Sequence, residues 1–196
     1  MMSRVFVWFV GLLIGVFAAT PLAFGNTIAL LGTKWCSSQA AVFIQASSGV
    51  SAQAVADVQA AINEWTNAIA GLGLSFKGYS FTTDRKTATV IINLKGGTGN
   101  VLGSTQFSTA GTCFSAVRVN LSGKAFGQGL SDPAIRTVTR HEFGHVTGLG
   151  HSDDPNDLMF ATFDAFGGTE KFISACDGQA VKTVYTQNPI PSSFTC

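Results

Sequence analysis

All three histidines of this 196-residue chain fall in one short window, His141-Glu142-Phe143-Gly144-His145-Val146-Thr147-Gly148-Leu149-Gly150-His151. Any fold must bring these side chains together, and the spacing says how. His141 and His145 stand four residues apart. On a helix they project from one face and can offer two ring nitrogens to one metal at about 2.0–2.1 Å. Glu142 lies one helical step off that face, which turns its carboxylate away from the ligands and toward a water in an open coordination position, where it can act as general base. Gly148 has no Cβ and can take the left-handed conformation that ends a helix, so the chain doubles back and His151 becomes the third ligand. Three protein ligands with a fourth position open is the arrangement of catalytic rather than structural zinc. One zinc ion is expected.

A bare HExxH string arises by accident. Here the glutamate, the glycine and the third histidine all stand where HExxHxxGxxH requires them, and the string resembles that of the metzincin zinc proteases. The following residues, His151-Ser152-Asp153-Asp154-Pro155-Asn156-Asp157-Leu158-Met159-Phe160, resemble the matrixin version of that site. Ser152 directly after the third ligand is the matrixin choice. Met159 stands at the position of the family's Met-turn, whose thioether forms an apolar floor beneath the imidazoles; apart from the resemblance it would read as plain core.

The resemblance runs from about Lys34 to Tyr185. Lys34-Trp35 with Ala41-Val42-Phe43-Ile44 is similar to the family's first strand, Ser51 to Ala70 to its first helix, Thr87 to Leu94 to a sheet strand, and Phe114 to Leu121 to the strand before the active-site helix. Ile173-Ser174-Ala175-Cys176-Asp177 through Val184-Tyr185 resembles its last helix. In matrixins that helix opens with two acidic residues. Alignment places Asp177 on the second, which implies that Asp177 supports the Met-turn, while Cys176 replaces the first. The salt link from that first carboxylate to a freed N-terminus is therefore not expected here. No propeptide is visible between Asn26 and Trp35, so no zymogen is expected. No histidine is left for the family's second, structural zinc. Lys95-Gly96-Gly97-Thr98-Gly99-Asn100 lacks the carboxylates of a calcium cage and the GK[ST] of a phosphate loop, and reads as a flexible loop.

The N-terminus carries export signals. Met1-Met2-Ser3-Arg4 is a short positive region, Val5 to Ala19 is apolar and uncharged, and Ala23-Phe24-Gly25 offers small residues for cleavage after Gly25. This divides the chain into a signal peptide, residues 1–25, and a protease domain, residues 26–196. An uncleaved anchor over Val5 to Gly25 is the rival reading. Without Arg4 the chain has eleven basic and eleven acidic residues. No net charge then remains to attract nucleic acid or an anionic membrane. After cleavage no membrane association is expected, and the domain should be a secreted or periplasmic monomer.

Cys36, Cys113, Cys176 and Cys196 all lie in the exported part, where two disulfides are expected among three possible connectivities. Cys36 with Cys113 and Cys176 with Cys196 is the preferred pairing, the second tying the tail to the last helix. A zinc-blocking thiolate at Cys36 is the alternative.

Periodicity places the elements around the motif. Val55, Val58, Ile62, Trp65 and Ile69 recur at helical steps after a candidate cap at Ser51, with Gly71 just past the end. Ala88, Val90, Ile92 and Leu94 alternate as in a strand with one face in a core, and Val117, Val119 and Leu121 repeat the pattern. Ser131-Asp132-Pro133 caps and opens the histidine helix, whose buried side is Ile135, Val138, Val146 and Leu149. The tail from Gln187 to Cys196 reads as extended.

The resemblance implies an α+β fold: a twisted five-stranded mixed sheet with one antiparallel edge strand, two long helices, and a small C-terminal part carrying a third helix. It implies an extended peptide substrate lying along the edge strand. Phe160, Ala161 and Phe163 follow the Met-turn where the family builds a specificity-pocket wall, or else are local core packing. Two functions compete: a secreted zinc endopeptidase, and a catalytically silent zinc-stabilised binding module. Glu142 favours the first, because a structural site needs no general base.

Overall fold

In the computed structural model, which describes residues 25–96 and 101–196, strand β1 covers Thr27–Leu30 and β2 Ala40–Ala46, followed by helix α1 over Ala52–Gly71. Strands β3 (Tyr79–Phe81), β4 (Val90–Lys95), β5 (Gly103–Ala110) and β6 (Cys113–Ser122) come next, then the short pair β7 (Lys124–Ala125) and β8 (Gln128–Gly129). Helix α2 runs over Asp132–Thr147, β9 over Leu149–Ser152, α3 over Ala175–Thr186 and β10 over Ser193–Thr195. Residues 1–24, on which the expected signal peptide falls apart from Gly25, and residues 97–100 of the glycine-rich loop lie outside the described residues.

The main sheet has the order β3-β2-β4-β6-β5. Its first three pairings are parallel and β5 joins β6 antiparallel, as the resemblance implies. The alternation in β4 works as read: Val90, Ile92 and Leu94 are fully buried. On the other face Asn93 donates to Asn120 at 3.0 Å, and Asn120 to Ser104 at 3.3 Å, a polar ladder across three strands. The strand starts at Val90 rather than Thr87.

Ser51 caps α1, its side chain accepting from the Ala54 N–H at 3.1 Å. Val58, Ile62, Trp65 and Ile69 are buried in the core shared with α2 and the sheet. Gly71 is the last helical residue, not the first beyond it, and the left-handed glycine of this turn is Gly73.

A second sheet, β10-β1-β9, was not expected from the sequence. Both its pairings are antiparallel, and the central strand β1 holds the strand that carries His151. Both disulfides have the preferred connectivity, with Cα–Cα distances of 5.5 Å for Cys36–Cys113 and 5.8 Å for Cys176–Cys196. The second ties α3 to the end of β10. Since Cys36 is oxidised to Cys113, it is no metal-blocking thiolate.

Candidate active site

Helix α2 is held rigidly along its length. Ser131 accepts from the Ala134 N–H at 3.4 Å and Pro133 sits in the first turn, where its missing N–H costs no hydrogen bond. Two buried indoles fix the body of the helix: Trp65 donates to the Arg140 carbonyl at 2.8 Å and Trp35 to the Val146 carbonyl at 2.9 Å. Gly148 ends it with φ of 106°. A Cβ on Gly148 would also lie 2.6 Å from the Thr33 carbonyl oxygen. Gly148→Ala therefore combines backbone strain with a clash against rigid backbone. It is expected to destabilise by about 1–3 kcal/mol and to weaken zinc binding through His151. Chemical unfolding and zinc titration check this; a variant matching wild type in both would refute the role.

The reversal at Gly148 brings the three imidazoles together. Their ligand atoms all lie within 4.8 Å of one another. His141 Nδ1–H donates to the Leu158 carbonyl at 2.9 Å and His145 Nδ1–H to the Leu149 carbonyl at 2.9 Å. These bonds fix ring orientation and tautomer, leaving Nε2 of each ring as an unprotonated donor. Burial, ahead of other influences, lowers the His141 and His145 pKa values from an ordinary 6.5 to about 4. Neutral, oriented imidazoles around a small gap fit a zinc ion.

Glu142 faces away from this cluster. Only 5% exposed, it points at the edge strand, where Thr105 Oγ1 donates to Oε2 at 2.7 Å. Burial raises its pKa from 4.5 to about 7 against the opposing Thr105 hydrogen bond. Asp177 is likewise raised to about 6, first by burial and further by the charge of Asp157.

These shifts have opposite signs in stability. For His141 and His145 the unfolded chain holds more protons between pH about 4 and 6.5, so stability falls as pH drops through that window. For Glu142 and Asp177 the folded chain holds more protons, from about 4.5 to 7 and from about 3.8 to 6, so stability rises as pH drops. Two against two nearly cancel. Unfolding free energy of the metal-free protein is expected to be flat between pH about 4.5 and 6, whereas Glu142→Gln should lose about 1.4 kcal/mol per unit of acidification there. Urea unfolding across that range is the check, and equal slopes for the two proteins would contradict it.

Met159 is fully buried against the helix, its thioether in the space that a side chain on Gly144 would fill. It sits in a tight turn closed by the Phe160 N–H to the Asp157 carbonyl, and its own N–H donates to Asp157 Oδ1 at 2.7 Å. Asp157 also accepts from the Asn26 side chain, whose Oδ1 in turn accepts from Ser152 Oγ at 2.6 Å. Asp177, expected to support this turn, instead receives the Ser174 N–H at 2.7 Å and hydroxyl at 2.8 Å and caps α3. The carboxylate that holds the turn is that of Asp157. Asp177 meets it only as a neighbouring charge.

Residues 35–186, more than half of the chain, match the family model for Matrixin. The chain belongs to the matrixin family. It is thus a zinc-dependent peptidase of the metzincin kind, and its five-stranded mixed sheet and three helices are those of a matrixin domain.

In this matrixin a cavity of about 370 Å³ opens beside His141 and Glu142, walled by Leu102, Val138, Leu158, Ala161 and Phe163. Phe160 and Ala161 line it too, so the segment after the turn contributes wall and not only core. That segment is clamped from behind. Glu170 pairs with Arg136 and Arg140 of α2, each at 2.8 Å, while Arg136 reaches Asp57 at 2.8 Å and Arg140 reaches Glu64 at 2.6 Å on α1. Arg140 is 1% exposed, and burial alone would lower its pKa; the bonds to Glu64 and Glu170 outweigh that and raise it. Phe172 stacks on its guanidinium at 4.6 Å. No pattern in the sequence marks this cluster, nor the roles of Asn26, Gly103, Thr105 and Asp157.

Proposed function

We propose that the chain is a secreted zinc endopeptidase that binds an extended peptide along the free edge of β5 and cleaves it beside His141, His145 and His151. The observation that carries this reading is the pairing of a three-imidazole cluster with a buried, non-ligating carboxylate one helical step away. The imidazoles would hold one zinc ion, which when bound polarises a carbonyl and lowers the pKa of water toward 7. Glu142, a carboxylate that burial raises above its ordinary range in the metal-free protein, is suited to taking a proton from water and passing it to the leaving amine. The cavity beyond His141 takes an apolar substrate side chain, and its walls of leucine, valine and phenylalanine exclude water from the reacting groups. Among the described residues strand β5 pairs with β6 on one side only, so its other edge offers main-chain groups to an extended peptide.

Two disulfides support an oxidising compartment, hence export after removal of residues 1–25. No helix among the described residues is long and apolar enough to cross a membrane. A monomer is the proposed working unit. The test is a mass-spectrometric cleavage profile on a peptide library with and without a chelator. Internal cleavage that the chelator abolishes, with an apolar residue after the cut, is the expected result; no chelator-sensitive cleavage would overturn the reading.

A further inference from the structure

Strand β5 sends two features toward Glu142 that the zinc pattern does not call for. Thr105 Oγ1 donates to Glu142 Oε2 at 2.7 Å and lies 3.3 Å from the Glu142 backbone carbonyl. Two residues earlier, on the same face of the strand, Gly103 leaves vacant the space that the other carboxylate oxygen takes. A Cβ on Gly103 would overlap Oε1 and lie 2.7 Å from Cγ and 2.8 Å from Cδ of Glu142. Gly103 is not among the glycines with positive φ. Its backbone does not demand a glycine; the carboxylate beside it does.

The geometry points to Gly103 and Thr105 as positioning residues, a cradle on the substrate-binding edge strand that fixes the Glu142 carboxylate with Oε2 anchored and Oε1 left to exchange protons. The inference rests on the proposed hydrolysis. Oε1 has no hydrogen-bond partner among the described residues, and both Gly103 and Glu142 line the cavity, so the unanchored oxygen is the one beside the substrate space. A glutamate has three side-chain torsions. Without the Thr105 bond and the Gly103 gap, its carboxylate could swing by more than the roughly 1 Å that can cost about a hundredfold in rate. Because β5 also supplies the free edge along which the peptide is proposed to lie, substrate and base share one rigid reference. The partners stand 37 residues apart in sequence, and nothing in the motif announces them.

The experiment compares Thr105→Val, which keeps shape and strand preference but not the donor, with Thr105→Ser, which keeps the donor, and with Gly103→Ala. Steady-state kinetics and zinc content are measured on each. In parallel, metal-free protein labelled with ¹³C at glutamate carboxyls gives three signals, from Glu64, Glu142 and Glu170, with Glu142 assigned by its loss in Glu142→Ala. Thr105→Val is expected to lower kcat about tenfold with KM changed less than about twofold and zinc retained, as fits loss of one charged hydrogen bond. Thr105→Ser should recover to within about threefold of wild type, and Gly103→Ala should fall further than Thr105→Val. The Glu142 carboxyl signal should move in Thr105→Val and Gly103→Ala and stay in place in Thr105→Ser. Wild-type kcat in Thr105→Val, an equal fall in Thr105→Ser, or an unmoved carboxyl signal overturns the inference. The carboxyl signal is read without zinc or substrate. A wild-type protein that cleaves nothing would therefore sink the proposed function while the signal still decides whether the cradle exists.

Discussion

Glu142→Ala is expected to keep one zinc per chain and the fold while peptide hydrolysis falls by about 10²–10⁴, the range for losing a general base. The carboxylate is not among the converging ligand atoms, so its removal leaves the three imidazoles and their Nδ1–H bonds to Leu158 and Leu149 intact. Nor should the fold suffer. Glu142 is almost wholly buried and disfavours its own charged form, so deleting it relieves a desolvation cost that offsets the Thr105 hydroxyl left without its partner. Metal analysis and kinetics on one preparation check the result. Loss of zinc would make Glu142 a ligand, and undiminished activity would remove it from the chemistry.

His145→Ala should lose zinc and hydrolysis together. Two imidazoles remain, one of them on β9 rather than on the helix, and they cannot hold the ion in a site poised for catalysis. A thermodynamic signature follows. At free zinc about 10³ times its dissociation constant, wild type gains about 4 kcal/mol from binding, while a variant that does not bind gains none. Thermal unfolding with and without zinc should show a large upward shift for wild type and no shift for His145→Ala. A variant that still shifted as wild type does would place the metal elsewhere.

How much of this was readable beforehand depends on the range of the interactions involved. The ligand window, the caps at Ser51 and Ser131, the left-handed Gly148 and the buried faces of α1, α2 and β4 all follow from periods and signals within a few residues. Strand β5 did not, because Gly103–Ala110 is an edge strand whose side chains are partly or fully exposed, so it carries no apolar alternation. Thr105 therefore had no context in which to be noticed. The Asn26–Asp157 contact spans 131 residues and depends on the second sheet, whose outer strands are only four and three residues long. The ion cluster lay between these extremes. Arg136 and Arg140 share a helix face by spacing, but their partners are set by how α1 and the segment before α3 pack on it, which no local pattern encodes. The support expected from Asp177 followed the family's helix opening. Asp157, the first residue of the turn, accepts that bond from the Met159 N–H instead.

In the proposed function one zinc, held by His141, His145 and His151, makes this chain a peptidase. Stepwise return of zinc to the metal-free wild-type protein, with hydrolysis of a cleaved library peptide followed at each step, tests it most directly. Activity should rise in proportion to added zinc and level off at one equivalent per chain. Hydrolysis in the metal-free protein, or a plateau reached only at two equivalents, would contradict the account.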